Sequence, residues 1–250
     1  MGTDTLGIIG IGAFGEFILP HLSAHFKTKI YDKLRKPTDL EKIAKKHNAK
    51  SVTRLKDLCD SDVILIATPV STFEPIIKEI KPHLRKGQLV VDVGSVKELP
   101  AKILKKNLPA GVDIIGLHPL FGPQSGKNGI KGLNITVCNV RGKRNAKLIN
   151  FFKKKLGLNV IETTPTEHDK ELAYVQGLTH LIGKVFVSLN LAPFKQTTKT
   201  YELLKQMVEM VRYDSDELFR TIERDNLYTA HAKRAFFDAV KKLEKKLAKK

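Results

Sequence analysis

Two patterns of apolar positions divide this chain. Up to about residue 164, short apolar runs recur at regular intervals. They are Thr5–Ile9, Lys29–Tyr31, Val63–Ala67, Leu89–Val93, Asp113–Leu117, Ile135–Cys138 and Asn159–Glu162. Short runs of this kind fit strands buried on both faces. The stretches between them carry helical periodicity. Thr38-x-x-Glu41 and Ser71-x-x-Glu74 have capping-box spacing and predict helix starts. Strands alternating with helices predict an α/β fold, a doubly wound and mostly parallel sheet covered on both faces.

After Pro165 the strand-like runs stop. Thr166-x-x-Asp169 predicts the start of a long helix reaching about Leu191. Three more helices are expected, at about Thr198–Arg212, Ser215–Asn226 and Tyr228–Lys249. The expected organisation is a Rossmann-like domain over residues 1–164 and an all-helical domain over 165–250. No internal repeat or low-complexity linker interrupts it.

Composition narrows the class. The chain has 250 residues, 42% hydrophobic and 28% charged, as globular proteins do. No apolar run approaches the ~20 residues of a membrane helix. The N-terminus opens directly in a strand-like run, with no signal peptide expected. Cys59 and Cys138 lack metal-ligand spacing, and two lone cysteines fit a reducing cytoplasm. The net charge of +18 is large. Its lysines are scattered, and in the tail Lys241–Lys250 they surround Leu243 and Leu247, as on the solvated side of a terminal helix. No aromatic-interleaved basic patch appears, so neither nucleic acid nor membrane is the expected partner. A field that attracts anionic small molecules is the expected consequence.

Gly10-Ile11-Gly12-Ala13-Phe14-Gly15 follows the first strand and opens a helix, and Asp32 ends the next strand. That combination is the dinucleotide fingerprint. Gly10 permits the tight turn, Gly12 lets backbone approach a pyrophosphate, and Gly15 allows close helix–strand packing. The helix N-terminus offers N–H groups and a positive dipole to phosphate. Asp32 is expected to accept from ribose hydroxyls and to repel a 2′-phosphate, which favours NAD. Lys33, Arg35 and Lys36 follow closely and would suit NADP if Asp32 turned aside. Thr68-Pro69 and Ser95 lie at further strand ends facing the same crevice. Ser95-x-x-Glu98 is also a capping box, so a helix start is the second reading of Ser95.

His118 stands at the expected end of a strand, in His118-Pro119-Leu120-Phe121-Gly122-Pro123-Gln124. An imidazole titrates near ~6.5 and can take a proton near neutral pH. An idle, solvent-facing histidine is the plainer reading of that position alone.

Ser95-Val96-Lys97 and His118–Gly122, set on this fold, resemble the prephenate/arogenate dehydrogenase family of tyrosine biosynthesis. The stretch His118–Gly129 is especially similar to plant-type arogenate dehydrogenases. So are Glu167-His168-Asp169, Gln176–His180 and Thr198–Leu204. The resemblance implies an oxidoreductase that decarboxylates arogenate or prephenate with NAD or NADP. It further implies a homodimer formed through the helical domain and no catalytic metal. It makes His118 the base on the C4 hydroxyl and Ser95 the residue that positions that hydroxyl. His180 becomes a substrate contact, with Gln176 i,i+4 to it on one helix face. His168 is left as structural. Gln124, Thr198, Tyr201 and Asp214 complete the implied substrate residues.

The chain departs from the family pattern in places. Glu202 stands where many bacterial members carry a carboxylate-binding arginine, and Gln124 where many relatives are acidic. Lys199 and Lys205 are nearby candidates to replace the arginine. Neither a regulatory nor a mutase domain is expected. Asp214 falls where an acidic residue accompanies arogenate preference in plant-type relatives, so arogenate is favoured here. Asp214 as the N-cap of the next helix is the competing reading. Also open are a prephenate-specific enzyme, another Rossmann dehydrogenase and a non-enzymatic dinucleotide sensor.

Overall fold

The computed structural model describes residues 4–249. They divide into two compact units, with the boundary between Pro165 and Thr166.

The first unit is built on one eight-stranded sheet of order β3-β2-β1-β4-β5-β6-β7-β8. The strands are β1 (Thr5–Ile9), β2 (Lys27–Tyr31), β3 (Ala49–Ser51), β4 (Val63–Ile66), β5 (Leu89–Asp92), β6 (Asp113–Pro119), β7 (Asn134–Arg141) and β8 (Asn159–Thr163). All neighbours are parallel except β6 and β7. The 3-2-1-4-5-6 core is Rossmann order. The helices are α1 (Ala13–Ser23), α2 (Pro37–Lys46), α3 (Phe73–Ile80), α4 (Glu98–Asn107) and α5 (Asn145–Lys154).

Side chains alternate across each strand, which explains why both faces need cover. Leu6, Ile8, Leu65 and Val91 pack with Ile18, Leu19 and Leu22 of α1 and Phe151 of α5. Ile9, Ile64, Ile66 and Val90 pack on the opposite face with Phe73 and Ile77 of α3 and Leu104 of α4. These strands are apolar on both sides because both sides are core.

Sequence expectation and structure part at several points. The edge strand β3 is three residues long and half exposed, and carries no apolar run to reveal it. β6 continues through His118 to Pro119, because β7 pairs with it there: His118 lies opposite Thr136. None of the three capping boxes in this unit forms as expected. Pro37 starts α2 and holds Lys36 extended, so Thr38 lies inside the helix. A 3₁₀ turn over Val70–Thr72 takes up Ser71, and α3 begins only at Phe73. Lys97 occupies the cap position of α4, so Ser95 is not its cap.

The second unit is helical: α6 (Pro165–Leu172), α7 (Thr179–Ser188), α8 (Lys199–Arg212), α9 (Asp216–Arg220) and α10 (Thr229–Leu247). Pro165 starts α6, which moves the helix start ahead of Thr166. The long helix expected to reach Leu191 is interrupted by a π turn over Ala173–Leu178. There a Cβ on Gly177 would come within 3.1 Å of Thr229, so α10 packs closely at that turn. α7 stops at Ser188, and Asn190 follows in the left-handed region with φ 47°. The expected helix Ser215–Asn226 is α9 followed by a second π turn, Thr221–Asp225. The C-terminal half of α10 is exposed on all sides, as expected of a solvated lysine-rich helix.

Candidate active site

In the first unit, the glycine-rich turn joins β1 to α1. Gly10 has φ +97°, and a Cβ there would sit 2.6 Å from the Ala67 carbonyl oxygen. At Gly15 a Cβ would meet the Gly10 carbonyl oxygen at 2.1 Å. Neither position accepts a side chain, and together they press α1 onto the end of the sheet. Gly12 is different: nothing lies within 4 Å of where its Cβ would be. It caps α1 without a side-chain hydrogen bond, and it is exposed with Ala13, while Phe14 is half-buried. The first turn of α1 therefore faces an open cradle with its N–H groups, the geometry that receives a pyrophosphate.

Asp32 follows β2 and is stitched to this turn. Its Oδ2 accepts from Ile11 N at 2.7 Å, and its Oδ1 accepts from Leu34 N at 2.8 Å and Arg35 N at 3.0 Å. Lys33 and Lys36 are exposed. Arg35 instead lies along the turn, donating to the Ile11 carbonyl at 2.6 Å and to Glu16 Oε2 at 2.5 Å. Thr68 and Pro69 follow β4 half-buried. Thr72 Oγ1 donates to the Pro69 carbonyl at 2.7 Å and accepts from the Thr68 hydroxyl at 2.8 Å.

A buried ion pair ties together the ends of β5 and β6. Lys97 Nζ donates to Asp92 Oδ1 and, at 2.6 Å, to the Leu117 carbonyl; both ionic side chains are fully buried. Asp92 Oδ1 also accepts from Gly94 N at 3.1 Å. This cluster holds the segment bearing half-buried Ser95 and the peptide preceding His118. His118 is only 5% exposed, so it is not the solvent-facing histidine of the plainer reading. The Asp92 strand end and Lys97 were noted in the sequence, but their pairing was not. The usable signal was a lysine five residues after a carboxylate, both among buried apolar neighbours. Gln124 lies exposed in the turn after β6.

In the second unit, His180 Nδ1 lies 3.1 Å from Asp214 Oδ2. The distance is that of an ion pair, but the buried Nδ1 is not aligned for a hydrogen bond. Lys184, one turn further along α7, donates to the Asp214 carbonyl at 2.9 Å. Asp214 does not cap α9: Ser215 does, its side chain accepting from Leu218 N at 3.1 Å. That corrects the competing reading of Asp214 and leaves its carboxylate turned to His180.

Thr198 caps α8 by accepting from Tyr201 N at 3.2 Å, and Tyr201 stacks edge-on against Phe194. Lys199 and Lys205 are exposed, and Glu202 is half-buried. Gln176 sits half-buried in the π turn, so regular i,i+4 spacing no longer describes its relation to His180. His168 is buried with Nδ1 2.8 Å from Asp169 Oδ1, as a structural histidine would be. Among the described residues no cluster of three or more His, Cys, Asp or Glu could hold a metal, and no helix is long and apolar enough to cross a membrane.

The sheet order and the glycine turn define the first unit as a Rossmann nucleotide-binding domain. Residues 24–133 match the family model described as the prephenate dehydrogenase nucleotide-binding domain. The chain is 32% identical over 224 residues to arogenate dehydrogenase 2, chloroplastic, of Arabidopsis thaliana, covering 86% of this chain and 62% of that protein. It is 32% identical to a probable arogenate/prephenate dehydrogenase of Methanocaldococcus jannaschii, covering 66% of this chain and 39% of that one. The chain thus spans less than two thirds of the length of these relatives. The crystal structure of A. aeolicus prephenate dehydrogenase with hydroxyphenyl propionate and NAD+ shares the fold, with a TM-score of 0.77 over 98% of this chain and 91% of that one, at 20% identity. Residues 24–133 thus match the prephenate dehydrogenase nucleotide-binding domain, and the chain is similar to arogenate and prephenate dehydrogenases over most of its length.

The contrast between glycines yields a test. Gly12→Ala should keep ordinary stability but lose most binding of ADP, since its Cβ would fill only the cradle. Gly15→Ala should lose roughly 1–3 kcal/mol of stability, because the helix must back away. Denaturant melts and ADP titration would measure both, and equal stability loss in the two variants would refute this division.

Proposed function

We propose that this chain is an NAD(P)-dependent dehydrogenase of tyrosine biosynthesis that oxidatively decarboxylates arogenate and, less readily, prephenate. The observation that carries this reading is a buried His118 on the segment anchored by Lys97, in a unit whose turn forms an open phosphate cradle. Gly10, Gly12, Ala13, Phe14, Gly15 and Asp32 would hold the dinucleotide, with Thr68, Pro69 and Ser95 beside its nicotinamide half. When bound, the dinucleotide would supply the acceptor for the hydride that leaves ring C4 of the substrate.

His118 takes the proton of the C4 hydroxyl, which Ser95 orients. As C4 becomes a carbonyl carbon, the C1 carboxylate leaves as CO2, its bonding pair passes through the ring to the C4 oxygen, and that oxygen takes a proton back as the ring becomes a phenol. His180, Gln176, Gln124, Thr198 and Tyr201 are the proposed substrate contacts. Asp214 is proposed to set substrate choice: a carboxylate attracts the ammonium of arogenate and repels the keto-acid side chain of prephenate. The A. thaliana relative is named an arogenate dehydrogenase, in keeping with this preference. Both cysteines are buried, and burial pushes the Cys59 thiol up to about 11.

His118→Asn should preserve dinucleotide binding and lower turnover by roughly 10²–10⁴-fold. Near-normal turnover from pH 6 to 9 would remove His118 from the reaction. Asp214→Asn should raise prephenate turnover relative to arogenate in a side-by-side NADH assay. An unchanged ratio would show that the carboxylate serves only to hold His180.

We also propose a homodimer through the helical unit. Leu172 and Val208 are buried within the chain, but Val175 is 66%, Leu203 54% and Met210 53% exposed. The dimer would cover these exposed apolar side chains. Light scattering at micromolar concentration should report twice the chain mass, and a monomer would refute the assignment.

A further inference from the structure

We propose that the Glu16–Arg35 ion pair is a cofactor-specificity device that holds this protein to dinucleotides lacking a 2′-phosphate. The proposal rests on the reading of the first unit as a dinucleotide site. Arg35 is the one arginine in the segment immediately after Asp32, where an arginine can accommodate a 2′-phosphate. Arginine suits that task because its planar fork pairs with phosphate oxygens. In this structure the fork is committed elsewhere. Nε donates to the Ile11 carbonyl at 2.6 Å and Nη2 to Glu16 Oε2 at 2.5 Å.

Glu16 reaches Arg35 because it lies in the first turn of α1, and that turn is pressed against the strand ends by Gly10 and Gly15. A carboxylate is also favoured there by the helix dipole. Asp32 faces the same turn through Ile11 N. An incoming 2′-phosphate would therefore meet the Asp32 carboxylate and an arginine already neutralised by Glu16.

The pair is not a deep lock. The Arg35 and Glu16 side chains are 33% and 40% exposed, so water screens their attraction. Asp32 supplies repulsion, and Glu16 withholds the compensating cation. Replacing Asp32 alone leaves Arg35 held; release needs Glu16 changed as well. The exposed Lys33 and Lys36 remain in either case.

Calorimetric titration with ADP and with 2′,5′-ADP reads this without any turnover assay. The unaltered protein should bind ADP more tightly. Glu16→Gln should improve 2′,5′-ADP relative to ADP by about fivefold, the scale of one exposed ion pair. Asp32→Ser should shift the ratio in the same direction, and the double variant should shift it further than either alone. In an Arg35→Ala background Glu16→Gln should change nothing.

An unchanged ratio with ADP binding intact would overturn the proposal. So would an equal gain in the Arg35→Ala background, because Glu16 would then act as a bare charge. If Glu16→Gln weakens ADP binding as well, Glu16→Asp decides: it keeps the charge and shortens the reach, and it must shift the ratio the same way. Failure of the unaltered protein to bind ADP at all would sink the dinucleotide reading itself, a result distinct from the others.

Discussion

The approach of Gly15 to the carbonyl of Gly10 is the constraint on which the nucleotide-binding half of the molecule depends. It fixes how near α1 comes to the end of β1, and therefore where the helix N-terminus points. Gly10 must enter the left-handed region to make the turn, and its own position against Ala67 leaves no room for a side chain. With the turn closed, Ile11 N meets Asp32 and Glu16 meets Arg35. One steric condition thus sets both the cradle and the charges at its rim.

A second constraint is electrostatic. Two fully buried charges are costly unless they satisfy each other and their remaining hydrogen-bonding capacity. Lys97 pairs with Asp92 and also donates to the Leu117 carbonyl, which offsets part of that cost. The demand for pairing draws the start of α4 toward the end of β6. His118 is consequently carried on a segment held from both sides, by Lys97 on one and by its pairing with β7 on the other. A proton-transfer group benefits from such placement, because its reach is short and its direction matters.

The helical unit divides labour between neighbouring residues. Ser215 takes the capping task at α9, which leaves the preceding carboxylate for His180 while Lys184 holds the backbone of Asp214. Two π turns lie in this unit, at Ala173–Leu178 and Thr221–Asp225. Such turns reposition side chains relative to a regular helix. Gln176 falls in the first of them.

The order of strands and helices was legible because it rests on local pattern: apolar runs for strands buried on two faces, and glycines at a spacing that only a tight turn requires. The resemblance to the prephenate/arogenate dehydrogenases was legible for the same reason, in short contiguous motifs such as His118–Gly122. Capping boxes were less reliable, because Pro37 and Pro165 shift helix starts through the backbone dihedral they impose. The extension of β6 through His118 was hidden, since it depends on β7 arriving beside it. So were the partners of Asp214, Arg35 and Lys97. By itself, then, the sequence determined the alternation of elements, the glycine turn and the candidate residues, all properties of neighbouring positions. Only the tertiary structure decided which carboxylate faces a histidine, which arginine is held, and which lysine is buried, because each of those outcomes depends on side chains brought together from separate segments.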